Sequence, residues 1–156
     1  MKEIILDTET TGLSVKDGHR IVEIGCIELD NLVPTKNIFH CYLNPERKVS
    51  EKAFEVHGYS DQFLSNKKKF FEIADDFLNF IKDKKIIIHN AEFDISHLNN
   101  ELSIAGKPEI NKEHTVDTLD LARNKFPGSG ISLDALCKRF RICLLYTSDA
   151  ADEPRC

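Results

Sequence analysis

The chain has 156 residues, 41% hydrophobic and 30% charged, which suits a globular domain with a real core and includes no apolar run near membrane-spanning length. A formal net charge of −5 argues against a broad, non-specific duplex binder, which needs a basic face, but not against an enzyme that meets a few phosphates through bound divalent metal. Five scattered cysteines without a CxxC pair exclude a disulfide framework or a zinc ribbon, and Met1 to Leu6 lacks signal-peptide architecture, so a cytoplasmic protein is expected.

In chain order, Glu3 to Asp7 reads as a short buried strand. Arg20 to Leu29 reads as a second strand, Asn31 to Lys36 as a turn containing Pro34, and Asn37 to Leu43 as a third strand. Cys26 and Cys41 fall in these apolar segments and are expected in the core. Three strands joined by short connections favour an antiparallel start to a sheet. Phe54 to Tyr59 reads as a loop. Phe70, Ile73, Ala74, Phe77, Leu78 and Ile81 then recur at helical spacing, which predicts a helix over 70–81, and Lys67 to Lys69 is its solvated approach. Lys85 to His89 is a compact strand. Asn90 is placed to cap a helix from about Glu92 to Ala105. Thr115 to Asp117 is a further strand, Thr118 to Phe126 a helix stopped by Pro127-Gly128, and Ser132 caps a last helix, Leu133 to Phe140. The fold class predicted is α/β: a mixed sheet of three antiparallel strands first, then alternating helices and strands, flanked by helices.

Chemistry concentrates in Asp7-Thr8-Glu9-Thr10-Thr11-Gly12. Side chains alternate along a strand, so Asp7 and Glu9 project on one side, a pleat apart. Two anions held that close call for a cation, and hard oxygen ligands suit Mg²⁺ or Mn²⁺. A bare Asp-x-Glu is common by chance, but here Thr8, Thr10, Thr11 and Gly12 add small polar groups and backbone N–H donors that can approach a nucleotide. A second segment, His89-Asn90-Ala91-Glu92-Phe93-Asp94, sits where a buried strand meets a helix and places Asp94 near the positive end of the helix dipole. The third is Val56-His57-Gly58-Tyr59.

Together these segments resemble the DEDD-type (DEDDh) 3′→5′ exonucleases, in their epsilon-like proofreading lineage of bacterial DNA polymerase III. The likeness extends over about residues 1–142, including Val116 to Leu119, Asn124 to Gly128 and Ser132 to Cys137; Asp117 and Asp134 are read as structural. The resemblance implies an RNase H-like fold and two Mg²⁺ or Mn²⁺ ions, about 3.5–4 Å apart. It makes Asp7, Glu9 and Asp94 the catalytic and metal-ligating carboxylates, with Asp94 acting largely through water. It makes Thr8, Thr10, Thr11, His57, Asn90 and Phe93 substrate-binding. The substrate implied is the 3′ end of single-stranded or frayed DNA, the product a 5′-mononucleotide, and the partner a polymerase catalytic subunit. An RNA-trimming exonuclease of the same fold, or a non-catalytic nucleic-acid- or polymerase-binding module, is the alternative. Lys52 departs from the family, which often has Glu five residues before the His of the third segment.

The family's last motif, a general-base His followed by a metal-binding Asp, has no counterpart: the last histidine is His114. Residues 143–156 do not resemble the family, and Asp149 and Asp152 have no accompanying His. They read as a sequencing or vector scar after an exonuclease domain, 1–142, that lacks its last catalytic helix. Absence of the general base removes about 10²–10⁴-fold in rate. The expectation is a feeble or inactive polypeptide with apolar sheet surface exposed.

Overall fold

The computed structural model describes residues 1–143, so the expected scar lies, apart from Cys143, outside the described residues. The chain divides into two compact units, Met1–Asp117 and Thr118–Cys156.

The first unit is built on a five-stranded sheet in the order β3-β2-β1-β4-β5. β1 (Lys2–Thr10), β2 (Ile21–Asp30) and β3 (Val33–Tyr42) pair antiparallel, as the short connections predict, while β4 (Lys85–Ile88) and β5 (Thr115–Asp117) extend the sheet in parallel. The expected turn over 31–36 contracts to Asn31 and Leu32, both at positive φ, and Pro34 lies inside β3. β3 is an edge strand, where a residue without an N–H is tolerated.

Helices α1 (Glu51–His57), α2 (Asp61–Leu64), α3 (Phe70–Ile81) and α4 (Ala91–Ile104) complete the unit. α3 has the bounds its periodicity predicts, and buries Phe70, Ile73, Ala74, Phe77 and Ile81. These pack with Ile4, Leu6, Ile24 and Cys26 of the sheet and Ile95, Leu98 and Leu102 of α4. The stretch read as a loop is helical: His57 is the last residue of α1. Ser50 Oγ accepts from the Ala53 N–H at 3.2 Å, and Gly58, at φ 74°, ends the helix.

The opposite face of the sheet carries a row of aligned isoleucines. Ile5, Ile27 and Ile38 stand directly across from one another and are 45%, 45% and 62% exposed. The next two rows along the same face are Asp7, Gly25, His40 and Glu9, Glu23, Tyr42. The second unit contains α5 (Thr118–Lys125) and α6 (Leu133–Phe140), the latter capped as expected by Ser132, whose Oγ accepts from the Ala135 N–H at 3.1 Å. Among the described residues, no helix is long and apolar enough to cross a membrane.

Candidate active site

β1 runs on to Thr10, past the Asp7 expected as its end, so both acidic residues belong to regular strand. Ile4, Leu6, Thr8 and Thr10 point into the unit, and Asp7 and Glu9 project from the other face. Gly25 lies between Asp7 and His40, and a β-carbon added there would meet nothing within 4 Å, so the surface beside Asp7 is open at that point.

Asp94 comes from the first turn of α4 and is 4% exposed. Its Oδ1 accepts two hydrogen bonds from Thr8, from the backbone N–H at 3.1 Å and from Oγ1 at 2.7 Å. The residue between Asp7 and Glu9 in sequence thus holds the third carboxylate beside them. The start of α4 differs from expectation. Asn90 is left-handed, at φ 72°, and its side chain makes no capping bond. The cap is Asp117 at the end of β5, whose two carboxylate oxygens accept the N–H groups of Asn90 and Ala91, each at 3.0 Å.

Electrostatics tie the carboxylates together. Burial, then Asp7, Glu23 and Asp94, push Glu9 up to about 7. Burial pushes Asp94 up to about 6, with Asp7 adding to it against the Thr8 hydrogen bonds. Partial desolvation and Glu23 raise Asp7 as well, although the residue reaches solvent. Among the described residues, the charged groups that perturb these three are carboxylates. They lie within electrostatic reach of one another, although among the described residues no three His, Cys, Asp or Glu side chains converge into a closed metal cluster.

Beside them opens a cavity of about 480 Å³, within the usual range of about 300–1,000 Å³ for ligand sites. Thr8, Glu9 and Thr10 of β1 form one wall, the connection from Gly12 to His19 a second, Lys52, Val56 and His57 of α1 a third, and Phe93 of α4 a fourth. Asp7 and Asp94 stand outside this lining, as do Thr11 and Asn90. Thr11 is fully buried, its hydroxyl shared between His19 Nδ1 at 2.9 Å and the Arg20 N–H at 3.0 Å. The His19 ring packs so closely on Gly12 that any β-carbon there would overlap it.

His57 is held in one tautomer. Its Nδ1 accepts from the Tyr59 N–H at 3.0 Å, so Nε2 carries the proton and donates to the Thr10 carbonyl at 3.1 Å. Its ring stacks on Tyr59 at 4.9 Å, and the Tyr59 ring meets that of Tyr42 edge-on at 5.1 Å. Glu23 bonds His40 Nε2 at 2.6 Å. Sequence reading missed Glu23 and named Tyr59 only as part of the third segment; the pairing of Glu23 with Glu9 follows from the register of the sheet.

Residues 4–146 match the family model described as exonuclease. The chain is 55% identical over 145 residues to the DNA polymerase III subunit epsilon of Rickettsia typhi (strain ATCC VR-144 / Wilmington), covering 91% of this chain and 63% of that protein. It is 46% identical over 149 residues to the protein of the same name from Escherichia coli (strain K12), covering 90% and 61%. The chain thus spans somewhat over three-fifths of the curated relatives it matches. Among solved structures, exonuclease X in complex with 5′ overhanging duplex DNA aligns with a TM-score of 0.68 at 25% identity, over 95% of this chain and 77% of that one. Product-bound exonuclease I aligns with a TM-score of 0.81 at 18% identity, over 96% and 40%. The fold is thus the RNase H-like α/β fold of these exonucleases.

Proposed function

The chain belongs to the exonuclease family, and on that premise we propose that it is the 3′→5′ DNA exonuclease domain of a replicative polymerase's proofreading subunit. It shortens single-stranded or frayed DNA from the 3′ end and releases 5′-mononucleotides. The relatives' names support this role, and with it a polymerase catalytic subunit as partner and a cytoplasmic location. The observation that carries the reading is the carboxylate group itself: Asp7 raises the pKa of both Glu9 and Asp94, Asp94 adds to that of Glu9, and among the described residues the charged groups that raise these three are carboxylates. Such a donor set, anionic and all oxygen, fits Mg²⁺ or Mn²⁺ and would hold two ions.

Asp7 and Glu9, side by side on one face of β1, supply the direct ligands. Asp94, its Oδ1 committed to Thr8, would act through water from its other carboxylate oxygen. When bound, divalent metal lowers the pKa of the attacking water and stabilises charge on the leaving 3′ oxygen. Thr8 and Thr10 line the path of the terminal nucleotide, and His57 and Phe93 wall its sugar and base. Thr11 and Asn90 stay outside the lining and shape it, Thr11 through its hydroxyl and Asn90 through its backbone N–H. His57, with both ring nitrogens engaged, orients and does not remove protons.

The 156 residues hold no histidine after His114 to take the proton from water, so this polypeptide turns over slowly. The second reading is a non-catalytic module that binds DNA ends. A 5′-labelled single-stranded oligodeoxynucleotide incubated with Mn²⁺ separates the two. Slow shortening from the 3′ end, abolished by Asp7→Ala, supports the exonuclease. Tight binding with no shortening at any enzyme concentration supports the module.

A further inference from the structure

Two walls of the cavity meet at a residue that does not line it. His97 lies one turn beyond Phe93 on α4 and is 1% exposed. Its Nε2 stands 3.1 Å from the Leu13 carbonyl oxygen, which can only accept, so Nε2 is the donor. Its ring meets that of Phe93 at a centroid distance of 4.7 Å. Leu13 and Phe93 both line the cavity. The Leu13 side chain is 81% exposed, so its place is set by its backbone and not by packing.

The other nitrogen of His97, Nδ1, is buried and has no hydrogen-bond partner among the described residues. A phenylalanine or leucine would fill the same space without stranding a polar atom. What histidine adds is the donor to Leu13. Burial lowers the pKa of the ring, which keeps it neutral with a single proton to give.

We propose that His97 is a positioning residue that fixes the gap between Leu13 and Phe93, on the side of the cavity where the proposed function already places the terminal base. The inference rests on the exonuclease reading for its ligand, and on the contacts of His97 for its mechanism.

The whole chain is compared with His97→Phe, which keeps a ring against Phe93 and loses the donor, and with His97→Gln, whose amide N–H reaches the same place. Two quantities are measured: hydrogen exchange of the amides of residues 13–19, and binding, in Mn²⁺, of a single-stranded oligodeoxynucleotide carrying 2-aminopurine at its 3′ end. In His97→Phe, residues 13–19 should exchange faster while β1 and β2 do not. Binding should weaken about fivefold, because the DNA must then order the Leu13 wall itself. His97→Gln should restore both. Unchanged exchange over 13–19 overturns the proposal, and so does faster exchange with full affinity. Should His97→Phe not fold, His97→Leu replaces it in both measurements. Failure of the exonuclease reading has a different signature: the parent chain itself binds no oligonucleotide. That result removes the base as occupant, while the exchange data still decide whether His97 holds Leu13.

Discussion

Thr8 donates twice to one oxygen of Asp94, through its backbone N–H and through Oγ1 at 2.7 Å, although the two residues are 86 positions apart. The strand that carries Asp7 and Glu9 is thereby joined to the helix that carries the third carboxylate. Thr8→Val keeps the shape of the side chain and removes the Oγ1 donor. A hydrogen bond to a charged group contributes about 1.5–3 kcal/mol. Urea unfolding at pH 7 should show a loss of about 1–2 kcal/mol, because the Asp94 carboxyl, with a pKa of about 6, is mostly but not wholly ionised there. Thr8→Ser should recover it. A Thr8→Val chain as stable as the parent would mean that the backbone N–H alone holds Asp94.

Glu9 sets the sign of a pH effect. Its pKa in the folded chain is about 7, against an ordinary 4.5, so between these values the folded chain keeps a proton that the unfolded chain has released. Stability therefore falls as pH rises through this window, and the full penalty is present above it. The thermal midpoint should drop between about pH 5 and pH 8. Mn²⁺ should reverse the drop, with an effect that grows with pH as the ligands lose their protons. Glu9→Gln should raise the midpoint at pH 8 without metal and abolish most of the gain from Mn²⁺. An unchanged Mn²⁺ response in that variant would remove Glu9 from the ligand set.

The Arg20 guanidinium grips Glu101 with two hydrogen bonds of 2.7 Å, and Glu101 is 2% exposed. The same carboxylate accepts the Ile21 N–H at 3.1 Å, which pins the start of β2 to α4. Arg20→Met strands a buried carboxylate and should cost about 3–5 kcal/mol in urea unfolding. Replacing both partners by apolar residues should cost less than the single change. If the double variant is the worse of the two, the hydrogen bond to Ile21 outweighs the charge pair.

His57 should stay neutral at physiological pH. Burial lowers its pKa below the ordinary 6.5, against the opposing pull of the Thr10 carbonyl and Glu23. Its imidazole signals in an NMR titration should show a midpoint below about 6.5 and the Nε2–H tautomer above it. A midpoint above that value would show that the ring is released from Tyr59 and Thr10 in solution.

Ile27 and Ile38, on the exposed isoleucine row, should tolerate threonine with changes within about 0.5 kcal/mol, and the double variant should self-associate less in sedimentation. Phe77, fully buried at the centre of the core, should lose about 3–5 kcal/mol on replacement by alanine. A large loss at Ile27 would show that the row is covered in solution.

The elements that were legible are those that obey a period. α3 buries an unbroken stripe, and its bounds follow from the spacing of Phe70, Ile73, Ala74, Phe77 and Ile81. α1 escaped because it buries no residue: Phe54 and Val56 are 47% and 78% exposed, so no apolar stripe marks it. Ser50 and Gly58, which bracket it, were the signals to read. Asn90 has the right chemistry for a cap, but its left-handed backbone turns the task over to Asp117. No local rule reports a cap supplied from 27 positions away.

The sequence by itself determined the chemistry on offer. Strand alternation places Asp7 and Glu9 on one face whatever the rest of the chain does, and the helix after His89 brings Asp94 to a positive helix end. Only the tertiary structure decided how these parts meet: Thr8 clamping Asp94, Glu23 facing Glu9 across the sheet, His57 locked between Thr10 and Tyr59, and His97 behind the wall that Leu13 and Phe93 share. The physical reason is reach. Periodicity and capping act over a few residues, whereas these contacts join positions that become neighbours only once the sheet has paired and α4 has packed against it.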